Sequence, residues 1–162
     1  MLVTVRPYVG ADWDAVLAIT RKSFRNTHDE AYLRSIVDDP RRVVSVATKR
    51  KRVVGFAVLR VQGQAYLDTI AVASQWRRSG VGGRLMSAVE EQARKRGSAI
   101  LFLDMHAKGP LKWYQKRGFT VARKEGLVLF KDGTRSALLA KGLYWGQVVT
   151  AAEEKKSATA AR

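Results

Sequence analysis

A glycine-rich stretch preceded by two arginines has the residue types and spacing to bind an anion. Residues Gln75 to Gly83 read Gln-Trp-Arg-Arg-Ser-Gly-Val-Gly-Gly, and no acidic residue lies between Asp68 and Glu90. Glycine lets backbone N–H groups approach a ligand without a Cβ in the way. The N-terminus of a following helix presents unpaired donors and a partial positive charge. The spacing therefore favours a pyrophosphate, and an ordinary glycine-rich turn before a helix is the alternative.

Two common phosphate-binding patterns do not fit this stretch. The dinucleotide fingerprint requires a third glycine where this chain has Leu85, and no Gly-Lys-Ser/Thr sequence opens the helix as in a P-loop. The pattern that fits is Arg77-Arg-Ser-Gly80-Val-Gly82 directly after a β-like run that ends at Val72.

Composition limits the remaining chemistry. The chain has 162 residues, 46% of them hydrophobic, which predicts one folded domain with a substantial core. The absence of cysteine excludes disulfides, thiolate metal sites and a cysteine acyl intermediate. His28 and His106 are the only histidines, so no metal site is expected. The N-terminus lacks the apolar core of a signal peptide and no run reaches membrane-spanning length, which predicts a cytoplasmic enzyme.

The basic charge exceeds what one phosphate ligand requires. Thirty Lys and Arg against fourteen Asp and Glu give a net charge of +16. Such a balance attracts polyanions, nucleic acid among them, although a solvated basic surface explains the count equally well. The candidate contacts are the cations of a predicted hairpin and of a helix before Gly118, namely Arg41, Arg42, Lys49, Arg50, Lys51, Arg52, Lys112, Lys116 and Arg117.

Hydrophobic periodicity predicts alternating strands and helices that would position the glycine-rich stretch. Asp12 is placed to cap the first helix, and Gly97 to end the helix that follows the glycines. The predicted strands cover 2–6, 43–48, 53–61, 64–72, 100–103, 119–123 and 137–143. The predicted helices cover 12–24, 28–37, a segment starting within 75–83 and ending before Gly97, and 109–116.

This order, together with two spaced motifs, resembles the GNAT family of acetyl-coenzyme A-dependent N-acetyltransferases. The first motif is the glycine stretch, and the second is Trp113-Tyr114-Gln-Lys-Arg-Gly118-Phe119, similar to the family's Tyr-x-x-x-Gly-Phe. The resemblance implies an α+β fold with a mixed, mostly antiparallel sheet of about six or seven strands, a central β-α-β unit and flanking helices. It covers a domain at 1–146, and 147–162 is expected to be a disordered tail rich in alanine and basic residues. Ala107 and Pro110 depart from the family's usual Asn and Ala, so a polar contact to the cofactor is missing or comes from His106.

The resemblance implies transfer of an acetyl group from acetyl-CoA to a primary amine by direct attack, with no metal and no covalent intermediate. Tyr114 is then the general acid beside the departing sulfur, with a core aromatic as its alternative. The cofactor would be bound by the backbone of the strand end and by the glycine stretch, that is Ile70, Ala71, Val72, Arg77, Arg78, Ser79, Gly80, Val81, Gly82 and Gly83.

The base and the acceptor site are less well defined by the sequence. Asp68 is the first candidate for the base, followed by Asp104, His106 or a water molecule, and Asp68 could equally be the structural partner of an arginine. The family architecture places acceptor contacts between the first two helices, at Phe24, Arg25 and His28 in particular.

Three functions remain open. The acceptor is a small amine or a protein amino group in the first, and a nucleic acid in the second. In the third, the domain is a non-catalytic basic binding module, which retention of Tyr114 and the glycine stretch disfavours. A monomer and a homodimer fit the sequence equally well.

Overall fold

Alternating apolar residues form four consecutive antiparallel strands in the first of the two units into which the chain divides, residues 1–98 and 99–162. The computed structural model describes residues 2–24 and 28–144. The strands of the first unit pair in sequence order and are β1 (Thr4–Pro7), β2 (Arg42–Lys49), β3 (Arg52–Gln62) and β4 (Gln64–Val72). Tight turns between β2, β3 and β4 therefore bring the start of β3 beside the end of β4.

Three helices belong to the same unit: α1 (Trp13–Ser23), α2 (Glu30–Val37) and α3 (Val81–Lys95). Apolar residues of α1 and α2 form a buried cluster with strand residues. The cluster includes Val16, Leu33, Val46 and Phe56, all of which are fully buried. Burying such large apolar side chains stabilises the unit by about 1.5–3 kcal/mol for each one.

Helix α3 approaches β3 at Gly55, a glycine inside a run of β-branched and apolar residues. A Cβ at this position would lie 2.9 Å from the carbonyl oxygen of Ala71 and 3.0 Å from Cδ1 of Leu85 on α3. Glycine is therefore required here for close packing. This contact fixes α3 against the sheet directly after the glycine-rich stretch.

The second unit contains β5 (Ile100–Met105), α4 (Leu111–Lys116), β6 (Thr120–Arg123) and β7 (Ala137–Gly142). Strand β7 lies between β5 and β6 and is antiparallel to both. Leu101, Phe119 and Leu139 are each at most 1% exposed and form part of the core of this unit.

The predicted elements are all present, with ends that shift by a few residues. β4 has the predicted bounds, and β5 runs two residues further, to Met105. Gly97 adopts a left-handed φ of 81° just after α3, as predicted for its end. α2 begins at Glu30 and not at His28, because the Asp29 carboxylate caps it by accepting a hydrogen bond of 2.7 Å from the Tyr32 N–H.

Asp12 was expected to cap α1 with its side chain, and that expectation is wrong. Asp12 occupies the N-cap position of α1 without making a side-chain cap. Its carboxylate instead binds the Arg6 guanidinium at 2.7 and 2.8 Å and accepts a hydrogen bond from the Val9 N–H. A guanidinium within reach is a stronger partner for a carboxylate than a backbone N–H.

The cations predicted as one hairpin surface lie at opposite ends of β2. Lys49 pairs with Arg52 across a two-residue turn formed by Arg50 and Lys51. Arg41 and Arg42 lie at the start of β2, where Arg41 binds Asp39 at 2.9 Å and Arg42 binds both Asp39 and Asp68. Only Lys49–Arg52 belongs to the turn, and Arg41 and Arg42 are held in ion pairs.

The helices of the described part of the chain are all too short or too polar to cross a membrane.

Candidate active site

The glycine-rich stretch connects β4 to α3 through a short 3-10 turn at Ser74–Trp76. Gly80 precedes the helix in a left-handed conformation, with φ of 86°. The Arg84 N–H donates to the carbonyl of Gly80 at 3.1 Å, so the N–H groups of residues 81–83 precede the first helical hydrogen bond. The first turn of α3 contains no acidic residue. The local geometry is therefore that of an anion-binding helix N-terminus.

Arg77 and Arg78 contribute differently to this stretch. Arg77 donates from Nε to the Val72 carbonyl at 3.1 Å and from Nη2 to the Ser23 hydroxyl at 3.2 Å. The Ser79 hydroxyl donates to the Trp76 carbonyl. Arg77 thus fastens the stretch to the end of β4 and to α1, whereas Arg78 is exposed with a left-handed φ of 60°.

The strand end that is predicted to bind the cofactor has alternating burial. Ala71 is 6% exposed, while Ile70 and Val72 on either side are half-buried. Ala71 pairs with Phe56 and Val72 with Gly55 on β3. The cofactor contacts of Ile70, Ala71 and Val72 stay predictions.

Asp68 lies at a β-bulge, where the pairing of β3 with β4 skips from Leu67 to Thr69. Its carboxylate is 2.7 Å from Nε of Arg42 and 3.6 Å from Nη2 of Arg60, and its side chain is only 6% exposed. Two guanidinium groups therefore balance its charge. This arrangement is what the structural alternative, an ion-pair partner, predicts; the catalytic role of Asp68 stays a prediction.

An aromatic row extends from the end of α1 to α2. The rings of Phe24 and His28 stack with centroids 4.3 Å apart, and Tyr32 meets His28 edge-on at 5.0 Å. Burial raises the pKa of Tyr32, and the nearby Asp68 carboxylate raises it further. The predicted acceptor residues Phe24 and His28 thus belong to a row with Tyr32, to which no motif in the sequence points. Arg25, the third, is outside the described residues.

Tyr114 is buried on α4 in the second unit, 8% exposed. Its ring meets Trp113 at 5.0 Å and Phe119 at 5.6 Å, both edge-on. Burial raises its pKa to about 12. The phenol is accordingly protonated at neutral pH, as a proton donor must be, although the same contacts also suit a core aromatic.

The two remaining base candidates support the segment before β7. Asp104 accepts hydrogen bonds from the Leu127 N–H at 2.9 Å and from the Ser136 hydroxyl. His106 lies 2.8 Å from Asp132 and 3.0 Å from Thr134 through Nε2. Because His106 Nδ1 accepts from the Lys108 N–H at 3.0 Å, Nε2 carries the hydrogen in the neutral ring.

Three hydrogen bonds lower the pKa of Asp132. Those from the hydroxyl and the N–H of Thr134 have the larger effects, and the one from His106 has a smaller effect. Asp132 and Thr134 are partners that the sequence offered no signal to find. Among residues 2–24 and 28–144, no three His, Asp or Glu side chains group together to hold a metal ion.

Comparison with known proteins agrees with the fold. The described structure has the fold of an acetyltransferase. The chain belongs to the acetyltransferase (GNAT) family, whose model matches residues 13–119. The predicted fold class and the assignment as an enzyme of the acyltransferase class are thereby confirmed. No curated protein matches the sequence.

Several solved structures are similar over most of this chain. The ribosomal-protein-S18-alanine N-acetyltransferase from Escherichia coli matches with a TM-score of 0.76 and 24% identity over 88% of this chain and 94% of its own. Ard1 from Thermoplasma volcanium has a TM-score of 0.76 and 22% identity, covering 88% and 98%. Arabidopsis thaliana Naa50, in complex with the bisubstrate analogue CoA-Ac-MVNAL, has a TM-score of 0.72 and 15% identity, covering 88% and 99%.

Proposed function

We propose that this protein transfers an acetyl group from acetyl-CoA to a primary amine by direct attack. The observation that carries the proposal is the start of α3, where a left-handed Gly80 precedes a first helical turn that has no acidic residue. The pyrophosphate of coenzyme A would accept hydrogen bonds from the N–H groups of residues 81–83 and attract Arg78. Binding of a coenzyme A derivative by Naa50, a structural neighbour, supports this choice of ligand.

The chemical step requires four events. The amine nitrogen bonds to the thioester carbonyl carbon, the carbon–sulfur bond breaks, a base takes the proton from nitrogen, and the sulfur leaves with help from a donor. Tyr114 supplies the donor in this proposal, because a phenol is protonated at neutral pH and the resemblance to the family implies that it lies beside the departing sulfur. The products are an amide and free coenzyme A, so atoms and charge balance without a redox partner.

A base must also take the proton from the amine nitrogen. Asp68 remains the first candidate, but its ion pairs with Arg42 and Arg60 favour a structural role. A water molecule can remove the proton from an α-amine, whose pKa of about 7.8 is far lower than the 10.4 or so of a lysine side chain. The proposal therefore favours an acceptor that is easily deprotonated over a lysine side chain.

The acceptor is proposed to be a small amine or a protein amino group that lies along Phe24, His28 and Tyr32. This row offers aromatic surface, and the Asp68 carboxylate near Tyr32 is paired with Arg42 and Arg60. Two structural neighbours are named for protein or peptide substrates, the ribosomal-protein-S18-alanine enzyme and the Naa50 complex.

An acceptor screen tests the proposal. Release of free thiol from acetyl-CoA is followed with amino acids, small amines, peptides with free N-termini, basic peptides, tRNA and DNA as acceptors. Thiol release with an amine or peptide supports the proposal, and release only with tRNA or DNA would replace it with the nucleic-acid-directed alternative. Calorimetry that detects no acetyl-CoA binding, together with no thiol release, would leave the non-catalytic binding module.

A further inference from the structure

Three residues other than glycine have a positive φ among the residues that the structure describes. They are Arg50 at 50°, Lys51 at 63° and Arg78 at 60°. A left-handed backbone disfavours any side chain with a Cβ, and two-residue hairpin turns of this kind prefer Asn-Gly. All three residues are cations and all three are exposed. Charged residues thus occupy positions where glycine or asparagine would suit the backbone better, a pattern that points to function.

The three cations belong to the same end of the first unit. The ammonium group of Lys49 lies 4.4 Å above the ring centroid of Trp76, which precedes Arg78 by two residues. The Ala73 N–H donates to the Val54 carbonyl at 2.8 Å, which keeps the end of β4 beside the start of β3. The turn between β2 and β3 and the glycine-rich stretch are therefore neighbours.

The sequence supplies no carboxylate to this end of the unit from either strand or from the loop. Between Asp39 and Glu90 the only acidic residue is Asp68, and its partners are Arg42 and Arg60 near the opposite ends of β2 and β3. We define the basic turn surface as Lys49, Arg50, Lys51 and Arg52.

We propose that the basic turn surface binds the phosphate backbone of a nucleic acid. Its four cations are gathered at one two-residue turn, where Lys49 and Arg52 pair across the strands and Arg50 and Lys51 form the tip. Every phosphate of a nucleic-acid backbone carries a negative charge, so a cluster of cations can contact several phosphates at once. The N–H groups of residues 81–83 are already assigned to coenzyme A, which leaves the turn as a separate group of cations. The net charge of +16 adds long-range attraction to the same partner.

A double substitution separates charge from backbone geometry. Arg50→Asn with Lys51→Gly removes two positive charges and installs the residue pair that a two-residue hairpin turn prefers. The melting temperature of the variant is expected to equal or exceed that of the wild type. The control, Lys124→Gln with Lys131→Gln, removes the same charge from two exposed positions in the second unit.

Fluorescence anisotropy with a labelled DNA duplex, titrated at several salt concentrations, gives the readout. Log affinity should fall linearly with log salt, and the double turn variant should flatten the slope by about 1.8, or roughly 0.9 for each of two lost phosphate contacts. Its affinity at low salt should fall about tenfold, whereas the control should stay within about twofold of the wild type.

Other results would overturn the proposal. If the turn variant and the control weaken DNA binding equally, the affinity depends on net charge and not on the turn. Absence of duplex binding by the wild type at low salt, or a preference for polyglutamate or phosphatidylserine vesicles over DNA and tRNA, would exclude a nucleic-acid site. A raised KM for acetyl-CoA in the turn variant with unchanged DNA binding would assign the turn to the cofactor.

Discussion

Tyr114 shows how the burial of one residue affects both chemistry and stability. Its pKa is raised to about 12 because the phenolate would lose its hydration. The folded state therefore favours the neutral phenol. The free energy of unfolding is therefore unaffected by this group below pH of about 10, the unfolded pKa, and falls by a few kcal/mol as pH rises toward 12.

Tyr114→Phe is expected to lower kcat by about a hundredfold or more with little change in KM for acetyl-CoA. The hydroxyl acts mainly in the transition state, and losing a general acid typically costs that much. Steady-state thiol-release kinetics measure it, with Tyr144→Phe at a half-exposed tyrosine as the control. Activity within twofold of the wild type would make Tyr114 a core aromatic.

Asp68→Asn should destabilise the protein by about 1–3 kcal/mol, because it leaves Arg42 and Arg60 without a charged partner on β4. Urea denaturation measures the change. Asp12→Asn is a matched control, since Asp12 is similarly buried and binds Arg6.

The pH profile of kcat/KM separates the two roles of Asp68. If Asp68 is structural, the Asn variant keeps the acidic limb of the profile. Loss of that limb at unchanged stability would identify Asp68 as the base.

At the level of secondary-structure elements, the most informative helix is α3. Gly82→Asp places a side chain and a negative charge in its first turn, where the cofactor pyrophosphate is proposed to bind. Acetyl-CoA affinity should fall at least about tenfold, or about 1.4 kcal/mol. The fold should survive, because acidic residues suit a helix N-terminus.

Isothermal titration calorimetry measures this change. Ser87→Asp is the control, because it adds the same charge to an exposed position further along α3. Unchanged affinity in Gly82→Asp would remove the assignment of the glycine-rich stretch to acetyl-CoA.

The helices and strands could be predicted from the sequence, because hydrophobic periodicity and turn residues are local signals. β4 was predicted to the residue. The bulge at Asp68 was not, since it depends on how β4 pairs with β3. Gly55 carried a weak signal, a glycine within a strand, but its meaning depends on the distant Leu85. The left-handed turn at Arg50 and Lys51 had no signal, because the residue types argue against that backbone.

In the candidate site, too, features set by neighbouring residues could be predicted and features set by distant residues could not. The motifs identified the glycine-rich stretch and Tyr114 because their residues are close in sequence. The Asp68–Arg42 ion pair and the contact between His106 and Asp132 each join residues 26 positions apart, and spacing along the chain does not reveal them.

For the whole molecule, a net charge of +16 on 162 residues implies self-repulsion in the folded state. Added salt screens this repulsion, with a Debye length of about 30 Å at 0.01 M and about 10 Å at 0.1 M. The melting temperature should therefore rise by a few degrees between these NaCl concentrations, as differential scanning fluorimetry would show.

A control variant for this effect is Lys124→Gln with Lys131→Gln, whose lower charge should give a smaller rise. A melting temperature that falls with salt would mean that ion pairs such as those of Arg42 and Asp12 outweigh the repulsion.

The contact between Lys49 and Trp76 also provides an intrinsic fluorescence probe of binding. An indole ring with an ammonium group 4.4 Å above its centroid emits according to where that charge sits. A variant with Phe at Trp13, Trp113 and Trp145 would leave Trp76 as the single emitter. A cofactor at the glycine-rich stretch would perturb the ring from the loop, and a nucleic acid would draw Lys49 away from it. The fluorescence of Trp76 could then report both binding events in one sample, and stopped-flow mixing would show in which order they occur.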